Sequence, residues 1–213
     1  MHTRVMVMAR HQLVREGLVA LLSRQGDFAL MGSFGDGREG AAKAVELRPE
    51  LVMMELQLEG LHGVDVIRRI AAGSPHTRVL CLAADEPHEL MRTALDAGAR
   101  GFLAKDASPE EMLRALSAVR HRQLYLSPSL AEAAVMATTP ETHRSYAFCK
   151  LTPKEREVVQ LLAEGLSTKE AAARLNLSVK TVATHREHAT GKLGIRGVAA
   201  LTRFAIREGL AHP

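Results

Sequence analysis

The sequence predicts a doubly wound α/β domain, a five-stranded parallel sheet covered on both faces by helices, followed by an all-α module of four helices. Three observations carry this. Apolar runs of strand length alternate with segments of helical period five times before residue 121, the pattern of βα units and a parallel sheet. From Leu151 onward the strand runs cease, and Ser or Thr stands ahead of successive helical patterns as an N-cap. The charge divides at the same place: residues 1–121 hold 15 Lys and Arg against 16 Asp and Glu, residues 122–150 hold 3 against 2, and residues 151–213 hold 10 against 6. The expected organisation is an α/β domain over 1–121, a linker over 122–150 and a helical domain over 151–213. A basic helical module beside a near-neutral domain points to a polyanionic partner.

Residues 3–9 are a short apolar run suited to a buried strand, and Leu13, Val14, Leu18, Leu21 and Leu22 then fall at helical spacing. Residues 27–34 form the second strand, and Asp36-Gly37 opens a helix carrying Ala41, Ala44, Val45 and Leu47 inward until Pro49 ends it. Strand 51–54 leads into a loop with Gly60 and Gly63, then helix 64–72, strand 78–83, helix 87–97 and strand 101–104. Pro109 opens the last helix of the domain, where its missing N–H costs nothing. In the linker, Leu130 to Ala137 has the pattern of a short helix.

Composition excludes several classes. No run of eighteen apolar residues exists to span a membrane, and the N-terminus is too briefly apolar for a secretory signal, so a cytoplasmic protein is expected. Cys81 and Cys149 cannot form a disulfide framework. Aromatic residues are 3% and Trp is absent, which disfavours base stacking on aromatic platforms. Neither G-x-G-x-x-G after the first strand nor a P-loop occurs, and no His/Cys/Asp/Glu cluster has zinc spacing. No cofactor, metal or enzymatic activity is expected. Met6, Met8, Met53 and Met54 fall on strands and read as core filling.

Functional residues of a parallel sheet gather at the carboxyl ends of its strands. Here those are Ala9 and Arg10 after the first, Glu55 after the third, Ala83 after the fourth and Lys105 after the fifth. The stretches HQLVREGL at 11–18, PELVMMEL at 49–56, ALDAGARGF at 94–102 and LAKDASPEE at 103–111 resemble the receiver domain of bacterial response regulators, a flavodoxin-like fold. That resemblance implies an aspartate acceptor of a phosphoryl group after the third strand, an acidic pair holding Mg²⁺ after the first, a Ser or Thr after the fourth and a Lys after the fifth. This chain departs nearly throughout: Ala9 and Arg10 replace the acidic pair, Glu55 the acceptor and Ala83 the hydroxyl, while Lys105 remains, with Phe102 at the family's aromatic switch position. The degenerate set implies a receiver not phosphorylated in the usual way. Two readings follow: a pocket that has drifted, or Glu55 as a built-in charged stand-in whose carboxylate meets Lys105 or the Arg10 cation. Pairing is preferred, because an unpaired buried acid and base would each be costly.

In the last segment, Thr152-Pro153-Lys154-Glu155 is a capping box with Pro at N1. Val158, Val159, Leu161 and Leu162 form an apolar stripe stopped by Gly165. Ser167 opens a second helix and Ser178 a third, on which Val182, Ala189 and Leu193 share one face. Two helices joined by a short turn suit a helix-turn-helix. The runs LTPKEREV at 151–158, AEGLSTKEAA at 163–172, LSVKTVATH at 177–185 and KLGI at 192–195 closely resemble the LuxR-type DNA-binding domain. The whole chain thus resembles the NarL/FixJ class of response regulators.

By that resemblance phosphate contacts fall on Thr168, Lys169, Lys180, Thr181 and Lys192, and base-reading positions on Ala183, Thr184 and Glu187. His188 lies on the same outward face. The implied function is a transcriptional regulator that binds double-stranded promoter DNA as a homodimer. It would pair through the last helix, with Leu201 and Phe204, and through the first and fifth receiver helices, with Leu13, Val14 and Leu113; the alternative is that Phe204 completes the core of its own small domain and that Leu13, Val14 and Leu113 face the sheet. A small ligand or partner protein at the receiver is the rival means of control. An adaptor that binds another regulator through its receiver is the alternative function.

Overall fold

A computed structural model describes residues 2–84, 88–131, 151–207 and 210–211. The chain divides into a front unit and a second unit formed, among the described residues, largely by 151–207.

In the front unit β1 (Thr3–Met8), β2 (Phe28–Phe34), β3 (Leu51–Glu55), β4 (Arg78–Ala83), β5 (Ala99–Ala104) and β6 (Tyr125–Leu126) form one sheet in the order β2-β1-β3-β4-β5-β6. Every pairing is parallel. The sixth strand corrects the expected five: Tyr125 and Leu126, read as linker, pair with Gly101 and Phe102. Between the strands run α1 (Gln12–Ser23), α2 (Gly37–Leu47), α3 (Gly63–Gly73), α4 (His88–Ala97) and α5 (Pro109–Arg120).

Strand side chains alternate between the faces. Val5, Val7, Met53, Leu80, Leu82 and Leu103 pack under Leu22 of α1 and Met112, Ala115, Leu116 and Val119 of α5. Met6, Met8, Met54, Cys81 and Phe102 are fully buried, and Met8 reaches Gly40 of α2. The inner strands β1, β3, β4 and β5 are thus apolar on both faces over most of their length, as a helix-covered parallel sheet requires. Asp36 caps α2 by accepting from the Arg38 and Glu39 N–H groups, and Ser108 caps α5 ahead of Pro109 at N1. Gly63 is required by close approach: a Cβ there would stand 2.5 Å from Leu56 Cα and 2.7 Å from Leu56 O.

The second unit holds α6 (Pro153–Ala163), α7 (Thr168–Leu175), α8 (Val179–Leu193) and α9 (Val198–Arg207). Thr152 and Ser167 each cap with a reciprocal box, through Glu155 and Glu170. α7 ends at Asn176 and α8 at Gly194, both left-handed, a conformation that Asn and Gly adopt most cheaply. Val158, Leu161, Ala171, Leu175, Val182, Ala189, Leu201 and Phe204 are buried. The short helix expected over 130–137 is described only at 128–131, which is helical; its remainder and Cys149 lie outside the described residues.

Candidate functional site

The strand order reverses across β2-β1-β3, so the carboxyl ends of β1 and β3 open the crevice where α/β sheets carry their function. Glu55 ends β3 there. Its side chain is 5% exposed, and its Oε1 lies 2.8 Å from the Lys105 ammonium. Its Oε2 accepts the Arg10 backbone N–H at 2.9 Å. Lys105 is positioned through its own N–H, which donates to Ala83 O at 2.7 Å. The structure therefore brings Arg10, Glu55, Ala83 and Lys105 together, with Ala9 fully buried just past the end of β1 and Phe102 fully buried on β5.

Arg10 meets the carboxylate differently from the expectation. Its peptide N–H makes the bond, which leaves the guanidinium out of the pair. A second arginine supports that peptide: Arg15 Nη1 donates to Ala9 O at 2.7 Å and to Arg10 O at 2.6 Å. Arg15 was missed in the sequence. It stands in the first turn of α1, where the helix passes back over the end of β1, and a Cβ on Gly35 would come within 2.9 Å of its guanidinium. Glu55 thus holds two donors, one of them a full cation, in the geometry that makes charge-assisted bonds short and strong.

In the second unit α8 turns Lys180, Thr184, Glu187 and His188 to solvent, with Thr181 and Ala183 half-buried beside them. The Thr181 hydroxyl lies 2.8 Å from that of Ser178, whose oxygen also accepts the Thr181 N–H at 3.0 Å. Thr184 Oγ1 donates back to Lys180 O at 3.1 Å. On α7, Thr168 is half-buried and Lys169 exposed. Glu187 also edges a cleft of about 390 Å³ between α8 and the start of α9, with Arg186 and Arg196.

Lys192 has a partner that the sequence reading did not assign. Its ammonium lies 2.9 and 2.7 Å from the two Glu155 oxygens, and Glu155 Oε2 also accepts the Thr152 N–H at 2.7 Å. Burial alone would push the Glu155 carboxyl up, but the Lys192 ammonium and the Thr152 N–H and hydroxyl outweigh it and hold the carboxyl below its ordinary value.

The pairing residues need correction. Leu201 and Phe204 are only 1% and 4% exposed; they complete the core of their own unit and offer no surface to a second chain. Leu113 packs against the sheet core. Leu13 and Val14 do face outward, 82% and 36% exposed.

Residues 5–117 match the family described as response regulator receiver domain, and residues 149–205 match the bacterial regulatory proteins of the luxR family. The oxygen regulatory protein NreC of Staphylococcus aureus is 30% identical over 213 residues, covering 97% of this chain and 98% of that protein. The nitrate/nitrite response regulator NarL of Escherichia coli is 30% identical over 195 residues, covering 90% and 89%. The crystal structure of ChrA, the response regulator of a heme-sensing two-component system, superposes with a TM-score of 0.55 at 29% identity over 98% of both chains. No helix among the described residues is long and apolar enough to cross a membrane. With a receiver fold in front and a capped helix-turn-helix behind, the chain belongs to the LuxR-family response regulators, the DNA-binding transcription factors of two-component systems.

Proposed function

We propose that this regulator binds promoter DNA as a homodimer in the cytoplasm, with a receiver held in its working state by an internal ion pair in place of a phosphoryl group. The observation that carries this reading is the Glu55 carboxylate, engaged on one oxygen by Lys105 and on the other by the Arg10 N–H. A magnesium ion, which the family implies, does not fit the residues present. Mg²⁺ takes near-octahedral oxygen ligands, usually one or two carboxylates with waters. Ala9 and Arg10 offer no side-chain oxygen, and the carbonyls of both already accept from the Arg15 guanidinium.

Each part then has a task. Lys105 neutralises Glu55, Arg15 fixes the β1 end that supplies the Arg10 N–H, and α8 enters the major groove. The outward Lys180 and Lys169 grip phosphates, while Ala183, Thr184 and Glu187 face base edges, where an alanine methyl suits thymine and a carboxylate suits the cytosine amine. The recognition helix of one chain reads few bases, and a two-fold pair doubles the site. The outward Leu13 and Val14 of α1 provide the apolar surface for that pairing.

Lys180→Ala is expected to weaken binding to specific and random duplexes alike and to flatten the slope of log K against log salt by about one unit. Fluorescence anisotropy between about 50 and 200 mM salt measures this. An unchanged slope would remove α8 from the DNA, and a sedimenting complex of one chain per operator duplex would contradict the homodimer.

A further inference from the structure

Ser127 stands at the seam between the sheet and the segment that leaves it. Its N–H donates to Phe102 O at 2.9 Å, one rung beyond the Phe102–Leu126 pairing of β5 and β6. A parallel ladder would next send the Ala104 N–H to the Ser127 carbonyl. That carbonyl is instead taken by the Ala131 N–H at 3.0 Å, because the chain turns helical at 128–131. The Ser127 hydroxyl fills the missing rung. It accepts the Ala104 N–H at 3.0 Å and donates to Glu111 Oε1 on α5. The same oxygen accepts the Tyr125 hydroxyl at 3.1 Å. Ser127 is fully buried, and β6 can lie this close because residue 101 is glycine: a Cβ there would stand 2.7 Å from Tyr125 O.

The neighbour of Ala104 is Lys105, the partner of Glu55. Residues 102–105 therefore meet the pocket through one side chain and the exit segment through two backbone groups. We propose that Ser127 is a coupling residue, through which the state of the Glu55–Lys105 pair sets the docking of residues 125–131 onto the receiver. The proposal rests on the reading of the pair as the working state. With the pair closed, the end of β5 is fixed, the Ala104 N–H points at Ser127, and the chain leaves the receiver as a sixth strand locked to α5. With the pair open, that end of β5 loosens and the exit segment loses its seat.

Hydrogen exchange on the full chain tests this. Ser127→Ala should speed exchange of the Ala104 amide and of the amides of 125–127 and 129–131 by about tenfold, the loss of one buried hydrogen bond, and Ser127→Thr, which keeps the hydroxyl, should restore protection. Lys105→Met and Glu55→Gln should each speed exchange across 125–131 in the wild-type background. In the Ser127→Ala background they should add nothing further, the non-additivity of residues acting in one chain of contacts. Either result overturns the proposal: both pocket variants leaving 125–131 unchanged in a receiver that melts normally, or their effects adding in full to that of Ser127→Ala. Phosphorylation of the receiver would instead appear as a mass gain, so failure of the underlying reading is seen separately.

Discussion

Gly63→Ala is expected to cost the receiver unit about 3 kcal/mol or more, the upper end of what overpacking causes. An added Cβ would meet Leu56 Cα at 2.5 Å, its carbonyl oxygen at 2.7 Å and its carbonyl carbon at 2.9 Å. All three are backbone atoms, so no side chain can swing aside. Leu56 is itself fully buried, and the Gly63 N–H donates to Leu56 O at 2.7 Å. Relief therefore requires moving the start of α3 or the residue that directly follows Glu55. Since a domain is stable by only about 5–15 kcal/mol, a large share is lost. A thermal melt should fall by roughly 10 °C. Gly17→Ala is the control: its Cβ meets nothing within 4 Å, and removing a helix-interior glycine should gain up to about 1 kcal/mol. A Gly63→Ala melt within a degree or two of wild type would mean that β3 and α3 do not approach as described.

The second large effect lies in the helix-turn-helix unit. Glu155→Ala removes the reciprocal half of the Thr152 capping box and the partner of Lys192 at once. The cap contributes about 1 kcal/mol. The ion pair adds less than a fully buried one would, since the Lys192 side chain is 40% exposed; together they cost roughly 2 kcal/mol. The loss depends on pH in a defined direction. The Glu155 carboxyl is held below its ordinary 4.5 in the folded chain, so its contribution is full above the unfolded value and disappears as pH falls through the folded one. The gap between wild type and Glu155→Ala should therefore be widest near neutrality and narrow below about pH 4.5. Chemical denaturation at pH 7 and pH 4 measures it; a gap that widens in acid would contradict the ion pair.

These two sites differ in how far the sequence exposes them. The parallel sheet was legible because each strand is a short apolar run flanked by helical period, and the pocket because strand ends in such a sheet converge. Glu55 and Lys105, fifty residues apart, stood out on that ground as strand ends, and the resemblance to receivers paired them. Arg15 was not legible: its role depends on α1 passing back over the β1 carbonyls, and an arginine in a first helical turn normally reads as a solvated face. The Glu155–Lys192 pair spans 37 residues, and nothing in either helix's period announces it. β6 was hidden because two residues show no alternation, and its neighbours have linker composition. Leu201 and Phe204 show the limit of periodicity itself: helical spacing says that a face is apolar, but not whether the unit's own core or another chain covers it.

The direct measurement is the intact mass of the 213-residue chain after incubation with acetyl phosphate and Mg²⁺, read beside its affinity for an operator duplex recovered by footprinting. The Glu55–Lys105 pair predicts no added phosphoryl group and the same affinity with and without the donor. A mass gain of one phosphoryl group, lost in Glu55→Ala and accompanied by tighter DNA binding, would contradict it.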